Sequence, residues 1–562
     1  MRAEKILDAK THMNPTMVKS HIVALKAAVF YSFITLGITS AQAAEISSPS
    51  VIQEKFPAIH AILENFNPIA ELPAVPALQS GNLESVRPIT NDPETIFWNQ
   101  PFDCSPIAGC GGLFPVRETS QSQIGLLSDG QDSLSARIQT LLNAKRSVRI
   151  QALIFKSDES GRTIAEIIKR KKKAGLDVRI IVDAFSNPDL PTQLMYYDFK
   201  QNGIEVEGYE ALFLQWINEV SLKDPKQPDK RFHDKMWIID GEDPVNGIAI
   251  VGGLNIANEY FRTGSDAEHL WRDQDFILKG AIVSDVTAAF DRNYEDQKNI
   301  KRSRSELLNT DIAWELWRKR IVAKFGKINI PFEPNPVASA NVRKIIQRAS
   351  LPRLRLEPAK ARFFQNRPRY GETFIRQAYE RLFNFSRKEL LVVNAYFIPE
   401  EGVRNALKNA ARRGVSVTVI TNSPETNDLP EMAYASRYLY QELLAVNKEP
   451  ETRKNGGSFT IAEWNGHQYG EGTIHAKFAV ADRTISLGGS YNLDARSELL
   501  NSETVIEYEN ERLSSELALR VLTQDLPKCK IITPEQAKKF HNPDKAPDKL
   551  KLLLWNGLKG EL

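Results

Sequence analysis

Beyond residue 123, an apolar run at residues 148–155 is rich enough in β-branched and aromatic side chains to form a buried strand. The polar stretch Ser157-Asp158-Glu159-Ser160-Gly161 follows. Apolar residues then recur at helical spacing as far as Ala174-Gly175, and residues 178–182 read as a second strand. The same order returns further along. A strand-like run at 390–397 is followed by Pro399-Glu400-Glu401-Gly402, a helical stretch to Arg412-Arg413-Gly414, and a strand at 415–420. The chain therefore contains an internal repeat of strand, helix and strand. The glycine beyond each helix reads as a C-cap. Predominantly apolar strands that alternate with helices predict an α/β fold in each half, with both sheet faces covered.

Around this repeat the chain divides into residues 1–43, a proline-rich extension at 44–123, a first half at 124–335 and a second half at 336–562. Lys10, Lys19 and Lys26 precede an apolar stretch at 27–38, which ends in Ser40-Ala41-Gln42-Ala43-Ala44. That is the layout of a secretory signal peptide cleaved after Ala43. An uncleaved anchor is the alternative, but the run falls short of the roughly 20 apolar residues needed to span a bilayer. Residues 298–369 collect basic side chains and prolines and read as a linker with its own helix at 313–325. The apolar segment 209–220, with Leu212, Phe213, Trp216 and Ile217, reads as core packing in preference to a lipid contact.

Composition adds bounds. With 562 residues, 42% hydrophobic and 25% charged, the chain has room for more than one packed unit. A net charge of +3 neither demands nor excludes a polyanionic partner. The basic run 169–173 ends the first repeat's helix, where positive charge complements the helix dipole, and reads as a solvated helix end. Three cysteines are too few for a disulfide scaffold. Cys104 and Cys110 flank a short loop that a bridge can close, leaving Cys529 unpaired; three free thiols is the alternative. No Cys/His cluster suggests zinc.

The chemistry lies beyond each repeat unit. His233-Asp234-Lys235 with Asp240 fits H-x-K-x4-D and is followed by Gly252-Gly253-Leu254-Asn255. His475-Ala476-Lys477 with Asp482 fits it again and is followed by Gly488-Gly489-Ser490-Tyr491-Asn492. On a strand, His and Lys two residues apart point to one face. One neutral histidine can attack phosphorus, and a second, protonated one can deliver a proton to the leaving alcohol. Two motifs facing each other supply both. Lys235, Lys477 and the amides of Asn255 and Asn492 can then stabilise the phosphoryl oxygens, so the constellation calls for no metal and no cofactor. Each histidine also needs a carboxylate to fix its tautomer. Glu503 is the candidate for His475; Asp273 is the candidate for His233, with Asp275 as the runner-up. His269 and His467 read as loop residues.

These motifs resemble the phospholipase D superfamily. The phrases from Gly252-Gly253-Leu254-Asn255 to Asn258-Glu259-Tyr260-Phe261, Trp271-Arg272-Asp273, and Asn492-Leu493-Asp494-Ala495-Arg496-Ser497 resemble bacterial cardiolipin synthases, over residues 125–519. The resemblance implies a duplicated phospholipase D fold: two mixed β-sheets flanked by helices, forming a pseudo-dimer with one active site. It also implies that His233 is the nucleophile and His475 the general acid, with Asp240 and Asp482 supporting. Gly253 stands where the Gly-Ser-x-Asn form has a serine, the position that Ser490 fills in the second half. Membrane-embedded synthases of the family carry N-terminal transmembrane helices, whereas this chain has a signal-like start. A periplasmic or secreted phosphodiesterase or phosphatidyltransferase follows, acting on a phospholipid at a membrane surface with water or an alcohol as acceptor. A metal-independent nuclease and a secreted binding protein retaining the fold are the rival readings. The near-neutral charge argues against a nucleic-acid partner. The oligomeric state is not legible.

Overall fold

Two sheets built to one plan pack face to face. The computed structural model describes residues 97–99, 102, 114–183, 186–187, 189–209, 231–263, 270–302 and 355–540. The signal-like segment 1–43, Cys104, Cys110, His269, the 335/336 boundary, the linker helix at 313–325 and residues 210–220 of the apolar segment lie outside the described residues.

In the first half the described elements run β1 (Ser122–Leu127), α1 (Gly130–Asn143), β2 (Ser147–Ala152), α2 (Glu159–Lys173), β3 (Asp177–Asp183), α3 (Leu190–Gln201), β4 (Glu205–Tyr209), β5 (Arg231–Phe232), β6 (Met236–Ile239), β7 (Ile248–Gly252), α4 (Asn258–Phe261), β8 (Asp275–Gly280) and α5 (Ile282–Arg302). In the second they run β9 (Glu357–Pro358), β10 (Lys360–Asn366), α6 (Phe374–Phe385), β11 (Glu389–Asn394), α7 (Glu401–Arg412), β12 (Ser416–Asn422), α8 (Pro430–Ala445), α9 (Pro450–Asn455), β13 (Ser458–Trp464), β14 (Lys477–Ala481), β15 (Ile485–Gly489), α10 (Ala495–Leu499), β16 (Asn501–Glu509), α11 (Glu511–Arg520), β17 (Cys529–Ile531) and α12 (Pro534–Phe540).

The first sheet has the order β4-β3-β2-β6-β7-β8-β1-β9 and the second β10-β16-β15-β14-β11-β12-β13-β17. Read from opposite ends, the orders coincide strand for strand, with β9 and β17 added at one edge of each. β2, β3 and β4 are parallel, as are β11, β12 and β13, while the strands carrying the motifs run antiparallel to them. The sheets are thus mixed, and the repeat seen in the sequence is β2-α2-β3 and β11-α7-β12.

Local chemistry explains those units. Asp158 caps α2 by accepting from the Gly161 N–H, and the chain leaves the helix through Gly175 at φ +94°. Gly414 does the same after α7 at φ +104°. The basic run at the end of α2 is less solvated than its composition suggests. Lys169 pairs with Asp198 at 2.8 Å, and Lys171 donates to the carbonyls of Leu142 and Ala144 at the end of α1.

Among the described residues three large apolar cores result, beside a small cluster of Ile398, Met432 and Ala435. One lies under the outer helices of each half, and the third lies between the sheets, where Phe276, Ile238, Phe478, Trp464 and Tyr508 meet. A buried ion pair between Arg272 and Asp525 joins the halves, with contacts of 3.1 and 3.0 Å. The aromatic residues of the N-terminal extension pack on the second half, Phe97 on Phe385 and Phe114 on Phe364 and Phe374, while Arg117 pairs with Asp285 of α5 in the first.

Candidate active site

Each motif begins outside its own sheet. His and Lys were expected on one strand, but His233 and Asp234 precede β6, and His475 precedes β14. Their backbone pairs with the other half instead. β5 lies parallel to β16, with Arg231 opposite Asn501 and Phe232 opposite Ser502, and the His233 N–H donates to the Ser502 carbonyl at 2.9 Å. Symmetrically, Arg272 bridges Ile474, and the His475 N–H donates to the Arg272 carbonyl at 2.7 Å. Only after the histidine does the chain enter its own sheet.

This crossing corrects the carboxylate assignment made from sequence. His233 Nδ1 lies 2.9 Å from both oxygens of Glu503, and His475 Nδ1 lies 2.7 Å from Asp273 Oδ2. Glu503 therefore serves His233 and Asp273 serves His475, the reverse of the expected pairing. The runner-up, Asp275, is occupied elsewhere, accepting from Arg137 at 2.7 Å and Ser133 at 2.6 Å. Proximity along the chain misled because the segment just before β8 and the start of β16 each pair with the other half's motif and carry their carboxylates to its histidine.

All four groups are buried, and their charges are displaced unequally. Burial, then Lys235, Lys477, His475 and Arg496, hold the His233 imidazole far below its usual range, so it is neutral. Burial also pushes Glu503 up to about 7, although Lys235 and the hydroxyls of Ser490 and Ser497 oppose the shift. On the other side burial raises Asp273, but His475, Lys477 and the Gln274 N–H outweigh it and hold the carboxyl below its usual range. His475 is lowered by burial and Lys477, with Asp273 working against them. Its ring packs nearly perpendicular to Tyr260 at 5.3 Å and tilted against Trp271 at 5.2 Å between centroids. One site thus pairs a neutral histidine with a histidine supported by an ionised aspartate.

Lys235 and Lys477 each donate to the carbonyl of their own motif's histidine. Burial lowers them to about 7 and about 8. Asn255 accepts from the Ile154 N–H at 3.1 Å and donates to the Tyr260 hydroxyl at 2.9 Å, whereas Asn492 Oδ1 is buried with no hydrogen bond from the described residues. Asp240 and Asp482 stand away from the phosphate chemistry. Asp240 accepts from the N–H groups of Lys145, Arg146 and Ser147, and Asp482 from those of Arg387, Lys388 and Glu389. Both adopt left-handed backbone, φ 52° and 51°, a conformation aspartate tolerates better than most residues. They staple the entry to β2 and β11.

Gly253 and Ser490 occupy equivalent places. A Cβ at Gly253 would lie 2.1 Å from Asp273 Oδ1, so the glycine makes room for the carboxylate. Ser490 instead donates its hydroxyl to Glu503. His467 is exposed in a short turn.

Sequence reasoning gave no role to Tyr260, Trp271, Ser497 or Asn501. Ser497 and Asn501 donate to Glu503 at 2.8 and 3.4 Å. Tyr260 and Ser497 follow their asparagines by the same interval, and Trp271 and Asn501 precede their carboxylates by the same interval. Aligning the two repeats beyond the histidines is the signal that finds them.

The fold and the crossed site define a duplicated phospholipase D-like protein. A family model described as "Cardiolipin synthase, PLD-like domain" matches residues 137–294 and 379–522, more than half of the chain, and the chain belongs to that family. A cardiolipin synthase of Clostridium perfringens is 26% identical over 423 residues, 75% of this chain and 74% of that protein. An uncharacterized protein of Helicobacter pylori is 25% identical over 442 residues, covering 75% and 85%. Among solved structures, phosphatidylserine synthase of Haemophilus influenzae shares the fold, with a TM-score of 0.52 at 16% identity, covering 80% of this chain and 97% of that one.

Proposed function

We propose that the chain is a phospholipase D-type phosphatidyltransferase that works through a covalent phosphohistidine on His233, without a metal. The observation that carries this reading is the crossed pair of histidines in unlike charge environments, His233 neutral against Glu503 and His475 against an ionised Asp273. His233 Nε2 attacks the phosphorus while Nδ1 is held by Glu503. The bond from phosphorus to the head-group oxygen breaks, and the leaving alcohol takes a proton from His475. Water or a second alcohol then attacks the phosphatidyl-histidine and gives its proton to His475. The products are phosphatidic acid or a new phosphatidyl alcohol. Lys235 and Lys477 supply the positive charge that the phosphoryl oxygens require. The relatives named as cardiolipin synthases support a lipid substrate.

The signal-like N-terminus supports work in the periplasm or outside the cell, at a membrane surface. Among the described residues no helix is long and apolar enough to cross a membrane.

The test is incubation of the mature chain with vesicles of phosphatidylglycerol, phosphatidylethanolamine and phosphatidylcholine in chelator, with and without glycerol, followed by mass spectrometry. Phosphatidic acid or exchanged lipid that disappears in His233→Ala supports the proposal. Intact lipids with cleaved DNA under the same conditions would install the nuclease reading instead.

A further inference from the structure

One acidic side chain of the site is used by nothing in the scheme above. Asp428 lies in the loop between β12 and α8, and that loop is fastened to the residues just before His475. The Asn422 amide donates to the Ile474 carbonyl at 2.7 Å and accepts from its N–H at 3.1 Å, while Thr473 donates to the Thr426 carbonyl at 2.7 Å. Asn427 closes the loop by accepting from the Leu429 N–H at 2.9 Å. The Tyr396 hydroxyl, just past β11, lies 2.8 Å from both Asp428 oxygens. The carboxylate is exposed, yet close enough for its charge to act on His475, Lys477 and Tyr260. It therefore stands at the mouth of the site on the side of His475.

On the side of His233, the charges that reach the imidazole from the second half are those of Lys477 and His475 and, beyond the motif, Arg496. The tyrosine–aspartate pair also belongs to one half alone. The strand registers place Ile154 where the second half has Tyr396, and Asp189, which stands at the place of Asp428, caps α3 by accepting from the Thr192 N–H. A device absent from the duplicated scaffold is suited to selecting a substrate, not to holding the fold.

We propose that Asp428, flanked by Tyr396 and Tyr260, forms a subsite for the head-group alcohol that favours one carrying an ammonium group, such as ethanolamine, over a neutral or anionic one. A carboxylate beside aromatic rings suits an organic cation. The alcohol belongs there because it receives its proton from His475. A leaving head group and an incoming free alcohol share the subsite, since attack by the acceptor is the reverse of departure. The inference rests on the phosphatidyl-transfer reading.

The experiment compares the full mature chain with Asp428→Asn, which keeps an acceptor for Tyr396 but removes the charge. One arm measures kcat/KM for head-group release from phosphatidylethanolamine and from phosphatidylglycerol in mixed vesicles. The other measures incorporation of free ethanolamine against free glycerol into phosphatidylglycerol. The expected result is a wild-type preference for ethanolamine that falls about tenfold in Asp428→Asn in at least one arm, the responding arm identifying which alcohol uses the subsite. Glu425→Gln, an exposed carboxylate on the same loop, controls for surface charge and should leave the preference unchanged. A ratio that stays within about twofold of wild type in both arms, or a wild type that prefers glycerol, overturns the inference while leaving phosphatidyl transfer standing. No turnover of any lipid by the wild type would instead bring down the reading beneath it.

Discussion

His475 is enclosed by Tyr260, Trp271 and Asp273 of the first half, whereas His233 rests on Glu503 of the second, which Ser490, Ser497 and Asn501 hold by hydrogen bonds. The motif and the strand order are the same on both sides. Each histidine takes its surroundings from the half to which it does not belong, so duplication alone produces a matched pair. Substitutions at three equivalent places, Tyr260 against Ser497, Trp271 against Asn501 and Asp273 against Glu503, then make the pair unlike. Two copies of one motif can in this way divide nucleophile from acid without changing the motif.

Removing the histidines in turn should separate the two sides most strongly. His233→Ala should lower kcat/KM for a phospholipid by about 10,000-fold or more, as loss of a nucleophile does. His475→Ala should cost about 100- to 10,000-fold, the range of a general acid. A nitrophenyl phosphodiester, whose leaving group needs no proton, should restore much of the first-step rate, read as kcat/KM or as a nitrophenol burst, to His475→Ala and none to His233→Ala. Equal restoration of both would remove the distinction between the two sides.

The crossed pairing is tested one step further out. Asp273→Asn should behave like a milder His475→Ala, losing roughly 100-fold on lipid and regaining rate on the activated substrate, since it acts through that histidine. Glu503→Gln should lose a similar factor on both substrates. Interchanged behaviour would restore the same-half pairing.

Both the repeat and the motifs were legible in the sequence because they are local: β2-α2-β3 and β11-α7-β12 follow from apolar runs and glycine caps, and H-x-K-x4-D from spacing. The partner of each histidine was not legible. Asp273 and Glu503 were recognised as the carboxylates, but the backbone exchange between β5 and β16, and between Arg272 and Ile474, is a long-range event with no imprint on either segment alone. The aromatic and hydroxyl neighbours were missed for the same reason. They gain a role only when the halves are superposed and then crossed.

Smaller effects sharpen the contrast between Gly253 and Ser490. Gly253→Ser should displace Asp273 and cost about 100-fold in kcat/KM, because its Cβ would stand 2.1 Å from a carboxylate oxygen. Ser490→Ala removes one hydrogen bond to a carboxylate and should cost about tenfold.

The smallest expected effect is on stability. Glu503 titrates at about 7 in the folded chain, against roughly 4.3 for an unfolded glutamate, so the folded state binds the extra proton between those values. That contribution is fully present below about pH 4.3 and is lost as the pH rises through about 7. The melting temperature should fall over that window in the wild type and fall less in Glu503→Gln. The slope should shrink without vanishing, because burial also pushes Asp234 and Asp494 up to about 7.

In the proposed reaction the first-half histidine carries the phosphatidyl group. Mixing His475→Ala with a nitrophenyl phosphodiester, quenching within milliseconds and mapping peptides by mass spectrometry tests it directly. The expected result is a phosphoryl adduct on the peptide containing His233, formed faster than it decays. No adduct on His233 during steady turnover, or an adduct on another residue, would contradict it.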